Sequence, residues 1–232
     1  MPETCRRGWY DGASDDFGGK SLAVIHKAAG DVIYLLNRGY GIRSAVTFAG
    51  NHYRLTEHQR IALERTLTSD TKRDDRKRRE VDVLTQQIYI DGFNVIITLE
   101  TALSRSPVFA SRDGAIRDLA GLHGTYRIID KTDYAIRLIL EHIAEAGAVS
   151  VHVLLDRQIS NSGRLKKFID SVAEELRFTA DTTLTDCVDT CLQRENCVIT
   201  SDSVVLDKCR NWYNLTNRII RCKIPDAWVV TI

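Results

Sequence analysis

The sequence has no apolar run that approaches the ~20 residues of a membrane-spanning helix. Its first residues are polar and do not lead into the apolar segment of a secretory signal peptide. We therefore expect a cytoplasmic protein without a membrane partner.

Several common catalytic signatures are also missing. There is no Walker loop with its lysine, no Gly-x-Gly-x-x-Gly after a strand, and no Gly-x-Ser-x-Gly turn. These absences argue against P-loop, dinucleotide-binding and α/β-hydrolase chemistry. No residue stands out as a nucleophile for covalent catalysis.

The six cysteines include no Cys-x-x-Cys pair. Cys187 and Cys191 lie four residues apart and share an apolar helical pattern with Leu184 and Val188, and the other cysteines are irregularly spaced. This pattern predicts mostly buried, reduced thiols in a reducing compartment, without structural zinc.

The formal net charge is only +1, so the overall charge neither requires nor excludes a polyanionic partner. Residues 70–80 are nearly all charged and include four consecutive cations at 76–79. This run fits a solvated helix end or linker, and it also fits a contact to a phosphate backbone. We place a domain boundary here.

With 232 residues, of which 44% are hydrophobic and 27% charged, the chain suits one domain with an appendage or two small domains. From Ser21 onward, apolar residues recur at helical spacing, Gly39 is placed to end a helix, and Thr56 with Gln59 forms a capping box. We predict a flexible tail at 1–20, a small all-α N-terminal unit at 21–82 and an α/β domain at 83–232. The helical unit is a possible surface for a homodimer or a protein partner.

Strands and helices alternate after the boundary, which predicts an α/β domain with a mainly parallel sheet flanked by helices. The predicted strands are 85–91, 149–155 and 197–201. The predicted helices are 95–104, a loop and helix within 112–122, 132–146, 165–176 and 204–212. The apolar segments near 219–222 and 228–232 would close the sheet.

Each of the three predicted strands leads into an aspartate: Asp91, Asp156 and Asp202. The carboxyl ends of parallel strands meet at one edge of a sheet, where ligands usually bind. Clustered carboxylates repel one another unless a divalent cation neutralises them. A single aspartate of this kind could merely cap a helix. Three of them favour a shared metal site.

Two further residues extend this candidate site. Gly92 permits a tight turn after Asp91, which would bring Asn94 into the same cleft at the start of a helix. Asp207 follows Asp202 by about one and a half helical turns. We treat it as an additional candidate metal ligand.

Polar segments near these strand ends are candidates for substrate binding. The loop and helix after Asp156 would hold a phosphate through Ser160, Asn161, Ser162, Arg164 and Lys166. In the segment 111–127, Asp113 or Asp118 would supply a fourth carboxylate. In the same segment, phosphate binding or proton transfer would fall to Arg112, Arg117, His123 and Arg127. The structural alternative makes Asp113 and Arg117 an exposed helical ion pair of little energetic consequence.

Over residues 85–215 these motifs resemble the NYN branch of the PIN-like ribonucleases. The resemblance rests on the Asp-Gly-x-Asn turn at Asp91, the aspartate after a later strand, and the Ser-Asp segment at Asp202. It implies a PIN-like sheet, Mg²⁺ or Mn²⁺ bound by Asp91, Asp156 and Asp202, substrate or water positioned by Asn94, and metal-dependent hydrolysis of RNA.

This chain departs from the NYN pattern at Val204, where a second aspartate is expected. Either Asp207 substitutes for it, or the site is weakened and the protein is a non-catalytic RNA- or nucleotide-binding or regulatory module. The whole chain, including Asn51-His52-Tyr53, also resembles a prokaryotic, chiefly archaeal, family of unknown function. That second resemblance implies no mechanism.

Overall fold

The computed structural model describes residues 5–84, 87–121 and 124–232. Helices come first in the chain and are followed by an α/β arrangement of a parallel sheet and a smaller mixed sheet. The helices in the described residues are α1 Ala13–Phe17, α2 Gly19–Leu36, α3 Ile42–His52, α4 Glu57–Thr66, α5 Asp70–Arg79, α6 Gly92–Leu103, α7 Thr132–Glu145, α8 Ser162–Glu175, α9 Val188–Leu192, α10 Ser203–Leu206 and α11 Leu215–Lys223. The strands are β1 Tyr89–Asp91, β2 Val108–Ala110, β3 Ile116–Asp118, β4 Ser150–Asp156, β5 Thr179–Thr185, β6 Val198–Ile199 and β7 Val229–Thr231.

The N-terminal helices form where the sequence signals place them. Thr56 and Gln59 make both hydrogen bonds of the capping box at the start of α4. Gly39 follows the end of α2 with a φ of 85°, a conformation that favours glycine. The predicted flexible tail is wrong where the structure describes it, because α1 packs into this helical core through Ala13 and Phe17, both buried.

Except at Arg76, the side chains of the charged run are exposed or partly exposed, as expected for a solvated helix, and the run is not a linker. Its contact to a phosphate backbone stays a prediction. The run forms α5, whose Arg76 is buried and contacts the carboxylates of Asp113 and Asp207. Arg79 donates to the backbone oxygen of Leu206 at 2.7 Å. Arg76 and Arg79 thereby tie α5 to distant acidic groups and backbone carbonyls.

The main sheet has the order β5-β4-β1-β6, and every neighbouring pair is parallel. Parallel pairing brings the carboxyl ends of all four strands to one edge. The sequence analysis missed β5 because this edge strand consists largely of threonine, with one buried side chain at Thr182. The core between this sheet and α6, α7 and α8 is built from buried aliphatic side chains.

The second sheet has the order β3-β2-β7. The helix predicted within 112–122 is wrong, since β2 and β3 pair antiparallel across a turn where Gly114 has a φ of 94°. Trp228–Ile232 does not close the main sheet, because β7 pairs with β2 instead. The segment 219–222 lies in helix α11.

The second sheet fastens the helical unit to the rest of the molecule. Phe109 of β2 and Val230 of β7 are buried in the same apolar cluster as the N-terminal helices. The Phe109 ring meets the Phe17 ring edge-on, with centroids 4.7 Å apart. Residues of the helical unit can therefore hold fixed positions beside the α/β sheet. None of the helices in the described ranges is long and apolar enough to cross a membrane.

Candidate acidic site

One cleft of about 570 Å³ lies at the carboxyl edge of the main sheet. The structure places Asp91, Asp156 and Asp202 in its lining, as the strand-end pattern requires. Three further carboxylates, Glu64, Asp118 and Asp189, line the same cleft. We refer to this cleft and its carboxylates as the acidic cleft.

The turn at Asp91 explains how the central carboxylate is held. Asp91 ends β1, and its side chain accepts a hydrogen bond from the Asn94 backbone nitrogen at 3.4 Å. A Cβ atom at Gly92 would lie 2.5 Å from a Leu155 methyl group and 3.1 Å from the Leu154 carbonyl, so a larger residue there would have to displace β4 side chains. Asp91 thus caps α6 and also faces the cleft, while its role as a metal ligand stays a prediction.

Asn94 acts on the neighbouring loop. Its side-chain oxygen accepts hydrogen bonds from the backbone nitrogen of Ser201 at 2.8 Å and from the Ser201 hydroxyl at 2.9 Å. Thr200 donates to the Asp91 carboxylate at 3.0 Å. Asn94 and Thr200 therefore join the ends of β1 and β6, which fixes Asp91 relative to Asp202.

The two outer carboxylates each use one oxygen for the local backbone. Asp202 caps α10 by accepting from the nitrogens of Val204 and Val205. Asp156 accepts from the Gln158 nitrogen at 2.8 Å. In both, the second oxygen has no hydrogen bond to the residues that the structure describes, so it is available to a cation or a bound water.

The charged form of several carboxylates in the cleft is disfavoured by burial and by neighbouring negative charges. Burial, and to a lesser extent the charges of Asp202 and Asp189, raise the pKa of Asp91 to about 7, although the Thr200 hydrogen bond opposes the shift. Desolvation together with the charges of Asp202 and Asp156 raises the pKa of Asp189. Burial also raises the pKa of Asp118. A divalent cation would relieve this repulsion.

Sequence reasoning did not find all of the cleft. Asp189 was missed because it follows β5, which was not predicted. Its position after this strand was the only sequence feature that pointed to it, and β5 has few apolar residues. Arg43, Glu64 and Arg65 also line the cleft, from α3 and α4 of the helical unit. Arg65 donates to the Asp118 backbone oxygen at 2.7 Å. The helical unit is therefore one wall of the acidic cleft.

Several predicted site residues instead form a buried ion cluster. Asp113 is fully buried and pairs with Arg117 at 2.8 Å and Arg76 at 2.7 Å, so it is not a fourth cleft carboxylate. The exposed helical pair considered for Asp113 and Arg117 is also wrong. Arg117 does line the cleft, but its guanidinium is occupied by Asp113 and the Ser201 carbonyl.

Two more candidates are also occupied by ion pairs. Asp207 pairs with Arg76 at 2.5 Å and with Lys72 at 2.6 Å, and it is absent from the described lining of the cleft. Arg112 pairs with Asp70 at 2.8 Å. Asp207 therefore does not replace the aspartate that the NYN pattern expects at Val204, whose exposed side chain faces the cleft.

The predicted phosphate loop serves the fold. The Ser160 hydroxyl accepts from the Tyr126 nitrogen, the Asn161 amide donates to the Tyr126 carbonyl, and the Ser162 hydroxyl donates to the Arg157 carbonyl. Lys166 pairs with Asp170 at 3.2 Å.

The remaining cationic candidates lie elsewhere. Arg164 lines a separate shallow depression together with Lys167 and Phe168. Arg127 is not among the described residues that line the acidic cleft, and its backbone oxygen accepts a hydrogen bond from Arg7. His123 lies outside the described residues.

The cysteines are less buried than predicted. Cys197 and Cys209 are buried, whereas Cys5, Cys187 and Cys222 are exposed. Leu184 belongs to β5 rather than to a helix shared with the cysteine pair.

The chemistry of the acidic cleft suits a hydrated Mg²⁺ or Mn²⁺ better than a fully caged ion. Its donors are carboxylate oxygens, and Mg²⁺ commonly binds through one or two carboxylates while keeping several waters. No three His, Cys, Asp or Glu side chains in the described ranges are grouped closely enough to hold an ion by themselves. Asp91, Asp156 and Asp202 would hold the cation together with water.

The raised pKa of Asp91 predicts a pH dependence of stability in the absence of divalent cations. The folded state binds the Asp91 proton more tightly than the unfolded state, whose pKa is near 4, so the free energy of unfolding should fall from pH 4 to pH 7. The contribution of this carboxyl is at most roughly 4 kcal/mol. Urea unfolding across this range should show a shallower fall for Asp91→Asn; parallel curves would contradict the prediction.

Comparison with known proteins shows the family of this α/β protein. The chain belongs to the family of the domain of unknown function DUF5616, whose model matches residues 81–218. The model of the protein of unknown function DUF434 matches residues 24–79, within the helical unit. An uncharacterized protein of Methanocaldococcus jannaschii is 36% identical over 190 residues, which cover 78% of this chain and 88% of that relative. No solved structure matches the chain. None of these matches names an activity, so the resemblance to NYN nucleases stays a prediction.

Proposed function

We propose that the acidic cleft is the active site of a metal-dependent nuclease that hydrolyses phosphodiester bonds in RNA, as the resemblance to the NYN branch of PIN-like nucleases implies. The observation that carries the proposal is the meeting of Asp91, Asp156, Asp189 and Asp202 at the carboxyl edge of one parallel sheet. Mg²⁺ or Mn²⁺ bound there would activate a water and neutralise charge on the phosphodiester.

The residues of the chain have distinct roles in this proposal. Asp91 and Asp202 would hold the cation from the ends of two neighbouring strands, and Asp156 would support it from the end of a third. Asn94 is a positioning residue, because its amide oxygen fixes Ser201 beside Asp202. Thr200 holds the Asp91 carboxylate in place.

Binding of a polyanion to a carboxylate-lined cleft requires cations in addition to the metal. Arg43 lines the cleft, is exposed, and makes no ion pair or hydrogen bond with the described residues. We therefore propose that the Arg43 side chain binds a phosphate group of the substrate. Arg65 and Arg117 face the cleft but already bind Asp118 and Asp113.

The variant Arg43→Ala is expected to weaken RNA binding by roughly tenfold, or ~1.4 kcal/mol, and to reduce the salt dependence by about one released counterion. Metal affinity should stay unchanged, because Arg43 does not hold the cation. Fluorescence anisotropy with single-stranded RNA over a salt series measures both effects. Arg164→Ala is the matched comparison, and an equal loss there would contradict the assignment.

The proposed function is tested by incubating a mixed RNA pool with the full chain and Mg²⁺ or Mn²⁺. We expect cleavage that EDTA abolishes and that Asp202→Asn removes, while Asp226→Asn, a change at an exposed carboxylate paired with Arg105, retains it. Intact RNA at all metal concentrations would contradict nuclease activity.

A second function is favoured by two observations. Within the described residues the cleft carboxylates do not form a three-ligand group, and Val204 stands where a further aspartate is expected. Both features suit a catalytically weakened module that binds RNA or a nucleotide through one hydrated cation. Salt-sensitive RNA binding without turnover would identify this function.

We further propose a cytoplasmic location, as the sequence analysis expects. The free cysteines support it, since three of them are exposed and none is joined in a disulfide. The helical unit remains a candidate surface for a homodimer or protein partner in addition to forming one wall of the cleft.

A further inference from the structure

Two thiols at opposite ends of the short helix α9 are used neither by the fold nor by the proposed chemistry. Cys187 immediately precedes α9 and is exposed, and Cys191 lies within the helix and is partly exposed. Their sulfur atoms are 3.5 Å apart. The Cys187 sulfur also lies 3.3 Å from the Thr185 hydroxyl.

This pair is linked directly to the acidic cleft. Val188 and Asp189, which lie between the two cysteines, both line it. The far end of α9 is anchored by Leu192, which is fully buried in the apolar cluster around Trp212. A bond between residues 187 and 191 would therefore act on the short segment that carries Asp189.

We propose that Cys187 and Cys191 are a reversible oxidation site, and that a disulfide between them alters the acidic cleft through Asp189. A metal ion bound by the two sulfurs is less well supported, because no third His, Cys, Asp or Glu of the described chain completes a ligand group. In a disulfide the sulfurs lie about 2 Å apart. The thiols must approach each other to bond, and the residues between them must adjust.

The oxidant class is a small-molecule disulfide. The more exposed Cys187 attacks it as a thiolate, forms a mixed disulfide and releases one thiol. Cys191 then attacks the Cys187 sulfur and releases the second thiol. Two electrons pass from the cysteine pair to the reagent, and the two protons leave on the released thiols.

The test treats the anaerobic full chain with excess glutathione disulfide. We expect a cross-linked peptide spanning 187–191 whose mass is lower by two hydrogen atoms, with glutathione adducts on the unpaired exposed Cys5 and Cys222. Dithiothreitol should reverse both. In Cys191→Ser, Cys187 should keep its glutathione adduct. Stable adducts on both Cys187 and Cys191 of the parent would overturn the oxidation site.

The coupling to the cleft has its own measurement. Hydrogen exchange of the oxidised chain should change in residues 186–192 and 201–204 relative to the reduced chain, and unchanged exchange there would overturn the coupling. The rate of RNA cleavage is a further readout, and it is the only one that rests on the proposed nuclease function. Oxidation should lower this rate by roughly 10- to 100-fold. Cys222→Ser should respond as the parent does, because Cys222 lies on α11.

Discussion

Asp91→Asn is expected to abolish metal-dependent RNA cleavage and to leave the fold intact. The cleavage rate should fall at least roughly a thousandfold, because a catalytic metal contributes several kcal/mol of transition-state stabilisation. Asparagine keeps the shape of the side chain and also caps helices well, so α6 should be retained. Removing a buried charge whose pKa is raised to about 7 should stabilise the metal-free protein at neutral pH.

The combination of lost turnover and retained or increased stability distinguishes a metal ligand from a structural carboxylate. Single-turnover cleavage measures the first effect, and urea unfolding without divalent ions measures the second. Asp226→Asn is the matched control, because Asp226 is exposed and paired only with an exposed arginine among the described residues. Unchanged cleavage in Asp91→Asn would remove the catalytic assignment.

The carboxylates of the main sheet were predictable because the end of each of their strands is recognisable in the sequence. An apolar run, an aspartate and a glycine turn predict the position of Asp91, and parallel pairing then brings Asp156 and Asp202 to the same edge. Asp189 was not predictable in this way, because β5 is a threonine-rich edge strand without an apolar run. Arg43 was not predictable either, since no local pattern shows that the start of α3 lies beside the acidic cleft.

The errors elsewhere have a common physical cause. Asp113 and Arg117 are four residues apart, a helical spacing, yet the chain forms a hairpin and the two side chains meet with Arg76 in the interior. The burial of Arg76 within the charged run at 70–80 was not predicted for the same reason. A charged residue is assigned to the surface unless its distant partners are known, and sequence spacing does not identify them.

Asp113→Ala is expected to be among the most destabilising single substitutions in this protein. Asp113 is fully buried, and its removal would leave the buried guanidinium groups of Arg76 and Arg117 without their shared counter-charge. Breaking a buried pair in this way costs roughly 3–5 kcal/mol. Asp226→Ala, which breaks an exposed pair, should cost no more than about 1 kcal/mol.

The pH dependence of the same carboxylate has a definite sign. Burial alone would raise the pKa of Asp113, but Arg117 and Arg76 outweigh it and lower the pKa to about 2. Its stabilising contribution, roughly 2 kcal/mol relative to an unperturbed aspartate, is therefore present above pH 4 and lost as the pH falls toward 2.

The destabilisation should also reach the acidic cleft. Arg117 joins Asp113 to the carbonyl of Ser201, next to Asp202, through a hydrogen bond of 2.6 Å. When Asp113 is absent, we expect faster hydrogen exchange in residues 200–204 as well as a lower free energy of unfolding. Urea unfolding with hydrogen exchange measures both. If Asp113→Ala cost no more than Asp226→Ala, the buried cluster would not be the link that holds the helical unit, the hairpin and the cleft together.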